Sequence, residues 1–258
     1  MILTADYHTH TPYSHGKNTV AENAKQAKEI GLQELGIADH GFLHLLYGIS
    51  RKAMQDYKRD CHSAQEEYGI KVLVGVEANI LGSSGKCDLE ESDYDDFELF
   101  LCGKHLFVAY ENGSNRRKYG VGNALSAQFH KTPSAKLIAQ NTTAYINAIK
   151  NNPIDVLTHL NHRCPSNALE VAKCAADYGT YIELNSQKNH LTDEELMEIA
   201  DKTSARFLIN SDAHTAARVG DYKLVAEQLA RLRFPMERID NIDGRTPNFR
   251  FSAYKNGR

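Results

Sequence analysis

The chain has no tryptophan, and its five cysteines (Cys61, Cys87, Cys102, Cys164 and Cys174) are odd in number and contain no C-x-x-C pair. This argues against a fully paired disulfide framework and favours free thiols in a reduced compartment. Long apolar runs are also missing. None approaches the roughly 20 residues that a membrane-spanning helix needs. Strand character from residue 2 onward leaves no room for a signal peptide, so a cytoplasmic location is expected. Charge of either sign is not in excess: 30 Lys and Arg against 33 Asp and Glu leave a formal net charge of −3. That is too little for a general attraction to nucleic acid or to a membrane surface. No low-complexity tract or fixed-period repeat is present. What the chain does have is 41% hydrophobic residues, enough for a buried core, and 258 residues, enough for one large α/β barrel or two small domains. It also has 12 histidines, whose placement carries the rest of the reading.

Strand-like runs and helical patterns alternate. Residues 1–5 (MILTA) read as a first strand. Residues 19–30 (TVAENAKQAKEI) are helical, with Gly31 suited to the C-terminal cap. Residues 35–38 read as a strand, 51–68 as a helix stopped by Gly69, and 71–76 (KVLVGV) as a buried-type strand. The acidic stretch 88–98 (DLEESDYDDFE) reads as a solvated loop, and 99–102 as a fourth strand. Residues 110–131 form the least regular part, broken by Gly113, Gly120 and Gly122 and basic at Arg116-Arg117-Lys118. A loop this long in a compact enzyme is often a lid. Thr132-Pro133 starts a helix to about residue 151. Further strands are expected at 154–158, 180–184 and 206–210. A helix from Ser166 ends at Gly179, another opens with a Thr192/Glu195 capping box, and a last one covers about 221–233. The tail after Pro235 is weakly patterned. Seven β-then-α units argue for a parallel sheet.

Residues two apart on a strand face the same way, so His8 and His10 can reach one metal ion. His40, Glu77, His105, His159 and the Asp212/His214 pair each follow an apolar run. Together with His15 they can build one polynuclear site. Such ligands converge only if the strand ends surround a common mouth. Closure into a barrel is therefore favoured over an open sheet, with the site at the C-terminal ends of the strands. Imidazole and carboxylate donors suit Zn, Mn or Fe, and a set without cysteine is not a structural thiolate site. Glu77 can bridge two ions roughly 3.5–4 Å apart that hold a hydroxide between them for attack on phosphorus. Asp6 and Asp39, each near a ligand, read as groups that fix the tautomer of a ligating imidazole.

The motifs His8-Thr9-His10, Ala38-Asp39-His40-Gly41, Gly75-Val76-Glu77-Ala78-Asn79, Gly103-Lys104-His105, Thr158-His159 and Ser211-Asp212-Ala213-His214 resemble the PHP family, the polymerase and histidinol phosphatase domain. The likeness runs from residue 1 to roughly 235, and Gly75 to Ile80 looks especially like its small stand-alone bacterial members. The resemblance implies an α/β fold, a distorted (β/α)7 TIM-like barrel, as a single domain over residues 1–258. It also implies three divalent metal ions. His8, His10, Glu77 and Asp212 would hold the first, Glu77, His105 and His159 the second, and His15, His40 and His214 the third. Two positions depart from the family pattern. Leu160 stands where proline is common, and Gly103-Lys104-His105 lacks the Gly-Ser-x-His of dedicated histidinol phosphatases, which points away from histidinol phosphate as substrate.

The expected activity is a metal-dependent phosphomonoesterase acting on a small phosphorylated substrate, with no nucleic-acid or membrane partner. Glu77 and Asp212 are its catalytic carboxylates. Arg163, four residues beyond His159, can hold a phosphate by a two-bond fork, and Lys104 can do so as a point charge. Two other readings stay open: an amidohydrolase-like enzyme using one or two ions, and a non-catalytic PHP module. Of the remaining histidines, His44, His130 and His162 lie in loops near the expected mouth, and His62 lies on a helix surface. Glu183 is expected as a buried hydrogen-bonding group inside the barrel.

Overall fold

The structure, a computed structural model, describes residues 1–128 and 132–257. Seven parallel strands stand in chain order: β1 (Ala5–Thr9), β2 (Glu34–Ile37), β3 (Lys71–Asn79), β4 (Leu99–Gly103), β5 (Val156–Leu157), β6 (Tyr181–Asn185) and β7 (Phe207–Asn210). Helices α1 (Val20–Glu29) and α2 (Met54–Tyr68) follow β1 and β2, and only a 3-10 segment, Glu91–Asp96, separates β3 from β4. Three helical pieces come after β4: α3 (Gly113–Asn115), α4 (Gly122–Gln128) and α5 (Ala135–Asn151). The rest are α6 (Ala168–Tyr178), α7 (Asp193–Lys202), α8 (Lys223–Leu232) and α9 (Arg250–Asn256). The result is a nearly closed, distorted (β/α)7 barrel.

Strand alternation sorts the side chains. Leu73, Leu99, Leu101, Val156, Tyr181 and Leu208 fill the barrel with Ala5 and Tyr7, while Val72, Val74, Phe100, Leu157, Ile182, Phe207 and Ile209 face the helices. The interior is tight at Gly36, where a Cβ would lie 2.6 Å from the Tyr7 carbonyl oxygen. Local signals set the helix ends. Thr19 and Thr192 each form a capping box, and Gly69 and Gly179, at φ 62° and 71°, end α2 and α6.

The weakly patterned tail has two structural tasks. Strands β1 and β7 do not form a continuous ladder; they meet through a bridge between Thr9 and Ala213. Lower down, the Asn241 side chain joins them. Its Nδ2 donates to the carbonyls of Ala5 (2.8 Å) and Ile209 (2.6 Å), and its Oδ1 accepts from the Ile209 amide (3.0 Å). Phe249 then packs edge-on against Tyr7 at 5.0 Å, at the end of the barrel away from the ligands.

Several boundaries differ from expectation. Strand β1 begins at Ala5, because Leu3 pairs instead with Ile242 of the tail. β3 runs through Glu77 and β1 through His8, so these ligands lie within strands. Helices α5 and α6 start from Ser134 and Asn167, one or two residues later than expected, since those side chains accept the free amides. The acidic stretch is solvated only in part: Glu90, Glu91, Asp95 and Glu98 are exposed, but Asp88, Asp93 and Tyr94 are buried, and Asp93 pairs with Arg51. Residues 113–128 are helical, with a π-type turn over Arg116–Val121 that takes in Gly120, while Gly113 and Gly122 open α3 and α4. His130 lies outside the described residues. All five cysteines are buried and unpaired, and among the described residues no helix is long and apolar enough to cross a membrane.

Candidate metal centre

His8 reaches the site through a break in alternation. Ala5 and Tyr7 face the barrel interior, so a regular strand would turn His8 outward. The β1–β2 register shifts between Asp6 and Thr9, and His8 enters the barrel between Glu77 of β3 and Glu183 of β6. His10 follows it, with the two Nε2 atoms 3.1 Å apart.

The structure gathers all nine expected ligands at the C-terminal end of the barrel. Glu77, fully buried, is the hub. Its Oε2 lies 2.8 Å from His40 Nδ1, 3.4 Å from His8 Nε2 and 3.8 Å from His10 Nε2. Its Oε1 lies 2.8 Å from His159 Nε2 and 3.4 Å from His105 Nε2, and accepts from Thr158 Oγ1 at 2.9 Å. Asp212 Oδ1 lies 3.3 Å from His10 Nε2 and 3.7 Å from His8 Nε2. His15 and His214 face each other with Nε2 atoms 2.7 Å apart.

The proton positions show what these atoms await. His8 Nδ1 donates to Glu183 Oε1 (2.7 Å), His105 Nδ1 to Asn79 Oδ1 (2.7 Å) and His214 Nδ1 to the Asp212 carbonyl (2.9 Å). A carbonyl or carboxylate oxygen only accepts, so each Nδ1 carries a proton, and Nε2, which points into the cluster, offers its lone pair whenever the ring is neutral. Glu77 Oε2 and His40 Nδ1 are both buried and 2.8 Å apart. A buried imidazole nitrogen and a carboxylate oxygen this close need a proton or a cation between them. The spacing fits a cation. Four ligands with bonds of about 2.0–2.2 Å to a tetrahedral ion stand about 3.3–3.6 Å apart. His8 Nε2 and His10 Nε2 are 3.1 Å apart and stand 3.4 and 3.8 Å from Glu77 and 3.7 and 3.3 Å from Asp212, while the convergent donor group around them comprises His8, His10 and Glu77.

Beyond that set, the donors group differently from the three-way split implied by the resemblance. Those of His10, His15 and His214 lie within 4.8 Å of one another, as do those of His40, Glu77 and His105. His40 thus turns toward Glu77 rather than toward the His15–His214 pair.

Electrostatics follows from this packing. Burial pushes the Glu77 carboxyl up, but His105, His8, His40 and His159 together outweigh it and hold the group well below its ordinary value. Asp212 is likewise raised by burial but held low, chiefly by His8 and His10. Burial lowers His10 and His15 to about 4 and His40 to about 3. At His8 and His159 burial is outweighed by the facing carboxylates, chiefly Glu183 for His8 and Glu77 for His159, and both rings are raised, so a cation entering the cluster would displace their protons.

Two supports were assigned differently from the sequence. Asp6 accepts from Ser211 Oγ (2.5 Å) and from the amides of Ser211, His8 and Gly220, so it shapes backbone and holds no ring. Asp39 accepts from Thr11 Oγ1 (2.5 Å), the Thr11 amide and Ser14, fixing the loop that carries His15. The ring-holding groups are Glu183 for His8 and Asn79 for His105, and Asn79 is itself fixed by Asp88 Oδ2 at 2.5 Å. Only three-dimensional pairing reveals Asp88. Glu183 also accepts from the His159 amide (2.7 Å), which holds that residue at φ 30°. Asp212 is another ligand in the left-handed region, at φ 51°; strain of this kind marks positions that the surroundings over-determine.

The remaining candidates take varied places. Arg163 is exposed at φ 51°. Lys104 is buried under residues 113–121, with Nζ 4.0 Å from the Tyr119 ring centre and no hydrogen-bond partner; burial lowers it to about 8. His44 stacks on His40 at 4.6 Å, Tyr47 stacks on His15 at 4.4 Å, and His62 is exposed on α2.

Comparison with known proteins agrees with this architecture. A probable phosphatase of Clostridium novyi (strain NT) is 28% identical over 257 residues, covering 94% of this chain and 92% of that protein. A probable phosphatase of Proteus mirabilis (strain HI4320) is 28% identical over 262 residues, covering 95% and 92%. The crystal structure of histidinol phosphate phosphatase from Lactococcus lactis subsp. lactis Il1403, complexed with Zn, L-histidinol and phosphate, superposes with a TM-score of 0.60 at 13% identity, covering 91% of this chain and 95% of that one. It therefore shares the fold. The model of the PHP domain matches residues 6–233, a span that holds every one of the nine converging ligands, and the chain belongs to the PHP domain family.

Proposed function

We propose that this chain is a metal-dependent phosphomonoesterase that holds three divalent ions, of Zn, Mn or Fe, and hydrolyses a small phosphate ester. The observation that carries the reading is the hub at Glu77, where both carboxylate oxygens face imidazole nitrogens. The names of the relatives, probable phosphatases at 28% identity, support the reaction class. Bound divalent ions would activate a water as nucleophile and offset charge on the phosphoryl oxygens. His8, His10 and Glu77, with Asp212 beside the two rings, would hold the first ion, Glu77, His40 and His105, with His159 on the other carboxylate oxygen, the second, and His15 and His214, with His10, the third.

The chain's own groups do the rest. Glu77 and Asp212 stay ionised and anchor opposite sides of the cluster. Glu183, Asn79 and the Asp212 carbonyl fix three rings so that Nε2 faces inward. His44 and Tyr47 wall one side of the mouth, which restricts water. Arg163, exposed on the β5–α6 loop, is the cation available to orient an incoming phosphate.

The test is turnover by the metal-loaded chain on histidinol phosphate, sugar phosphates, nucleotides and phosphodiesters. Hydrolysis of at least one monoester is expected. A fully metal-loaded chain that cleaves none would overturn the enzymatic reading and favour a binding module.

A further inference from the structure

Beyond the cluster, two more imidazoles stand over the same mouth. His162 lies on the β5–α6 loop and His190 on the β6–α7 loop. Their rings pack edge to face at 4.7 Å, and each also contacts the ring of His159, at 5.3 and 5.9 Å. Both are half-buried, and among the described residues neither ring is hydrogen-bonded. Nor do their nitrogens join any convergent donor group, so they are not further ligands of the cluster.

The fold fixes this pair rather than letting it drift. Residues 159, 161 and 163 all have positive φ without being glycine, at 30°, 72° and 51°. Three left-handed residues in five persist only where contacts hold them. Here His162 N donates to the His159 carbonyl (2.8 Å), and Asn161 Oδ1 accepts from the Ser166 amide and hydroxyl at 2.8 and 2.7 Å. Asn161 Nδ2 then crosses to Glu195 Oε1 at 3.1 Å, at the start of α7, so the loops bearing the two histidines are tied together.

We infer that His162 and His190 form a hydrogen-bonding subsite for the leaving group, and that the substrate is a phosphate monoester of a hydroxyl-bearing alcohol, a polyol or a sugar. The inference rests on the phosphomonoesterase reading above. A neutral imidazole presents one donor and one acceptor, and two rings edge to face place both kinds side by side, as neighbouring hydroxyl groups require. Half-buried polar edges left without partners lose hydrogen bonds that such a ligand restores. Both loops also carry exposed cations, Arg163 and Lys188, and the nearby Glu195 is already used by Asn161 and Thr192, which disfavours a cationic leaving group.

The experiment uses the zinc-loaded chain and its His162→Phe and His190→Phe variants, which keep a ring but remove its hydrogen bonds. Substrates are D-ribose 5-phosphate, glycerol 1-phosphate and p-nitrophenyl phosphate. KM for the first two should rise at least tenfold in each variant, while kcat and KM for the aryl ester and the zinc content stay within twofold. In parallel, the ring Cε1–H resonances of His162 and His190 should shift with ribose 5-phosphate and not with inorganic phosphate. Equal losses on all three esters, or no losses, with unshifted resonances would overturn the subsite while leaving the phosphatase reading intact. A zinc-loaded chain that cleaves no ester but shows the ribose-dependent shifts would overturn the phosphatase reading and support the subsite.

Discussion

Replacing Glu183 with glutamine separates the ring-holding network from the ligands themselves. The carboxylate is buried and fully used. Oε1 accepts from His8 Nδ1 (2.7 Å) and Asn210 Nδ2 (3.0 Å), and Oε2 from the His159 amide (2.7 Å) and Asn185 Nδ2 (2.9 Å). An amide has one oxygen. Whichever way the new side chain turns, its NH2 group faces two donors that have lost their acceptor. At about 1–3 kcal/mol for each stranded donor, the metal-free chain should lose roughly 2–6 kcal/mol of stability. His8 or His159 also loses its orientation, and removing such an outer partner lowers metal affinity by about 10–100-fold. Competition with a chromophoric chelator gives the zinc affinity, and urea unfolding of the metal-free chain gives the stability. A zinc affinity within twofold of wild type, together with an unchanged urea midpoint, would refute the role assigned to Glu183.

Other consequences follow from the fold. Asn241→Ala removes three hydrogen bonds from the β1–β7 seam and should destabilise the chain by about 3 kcal/mol with metal stoichiometry unchanged; a melting temperature equal to wild type would sink the seam assignment. Burial raises the Asp155 carboxyl to about 7, so the folded chain holds a proton there that the unfolded chain, with its ordinary value near 3.8, has released. Stability from this group is therefore present at low pH and lost as pH rises toward 7, by about 3 kcal/mol between pH 5 and pH 8. Against Asp155→Asn, wild type should lose stability across that window in urea titrations, and parallel pH profiles for the two would contradict this sign. Asn79→Ala frees His105 Nδ1 and strands Asp88, and should weaken zinc binding by about tenfold without changing the fold as read by circular dichroism; unaltered zinc affinity would argue against the Asp88–Asn79–His105 relay.

Much of the site was legible because its ligands sit on a strand grammar. A polar residue at the end of an apolar run marks a barrel mouth, and His40, His105, His159 and Asp212 all obey that rule. What escaped was set by long-range pairing. The bulge that turns His8 inward arises from the β1–β2 register, which no local pattern encodes. Asp6 and Asp39 stand beside ligands in sequence, yet bond to Ser211, Gly220, Thr11 and Ser14, because the backbone loops nearest them needed acceptors. Asp88 looked like part of a solvated acidic run, and its burial follows from Asn79 and Leu43 closing over it. The tail lacked periodicity because its work is done by single residues, Asn241 at the seam and Phe249 at the barrel floor, rather than by a repeating face.

Elemental analysis of the zinc-saturated, desalted chain beside its Glu77→Ala variant bears most directly on the cluster. Three ions per chain in the wild type, at least one fewer in the variant, and loss of nearly all ester hydrolysis are the expected results. A wild type that retains no metal, or a variant that keeps full metal content and turnover, would contradict the convergence of these nine side chains on cations.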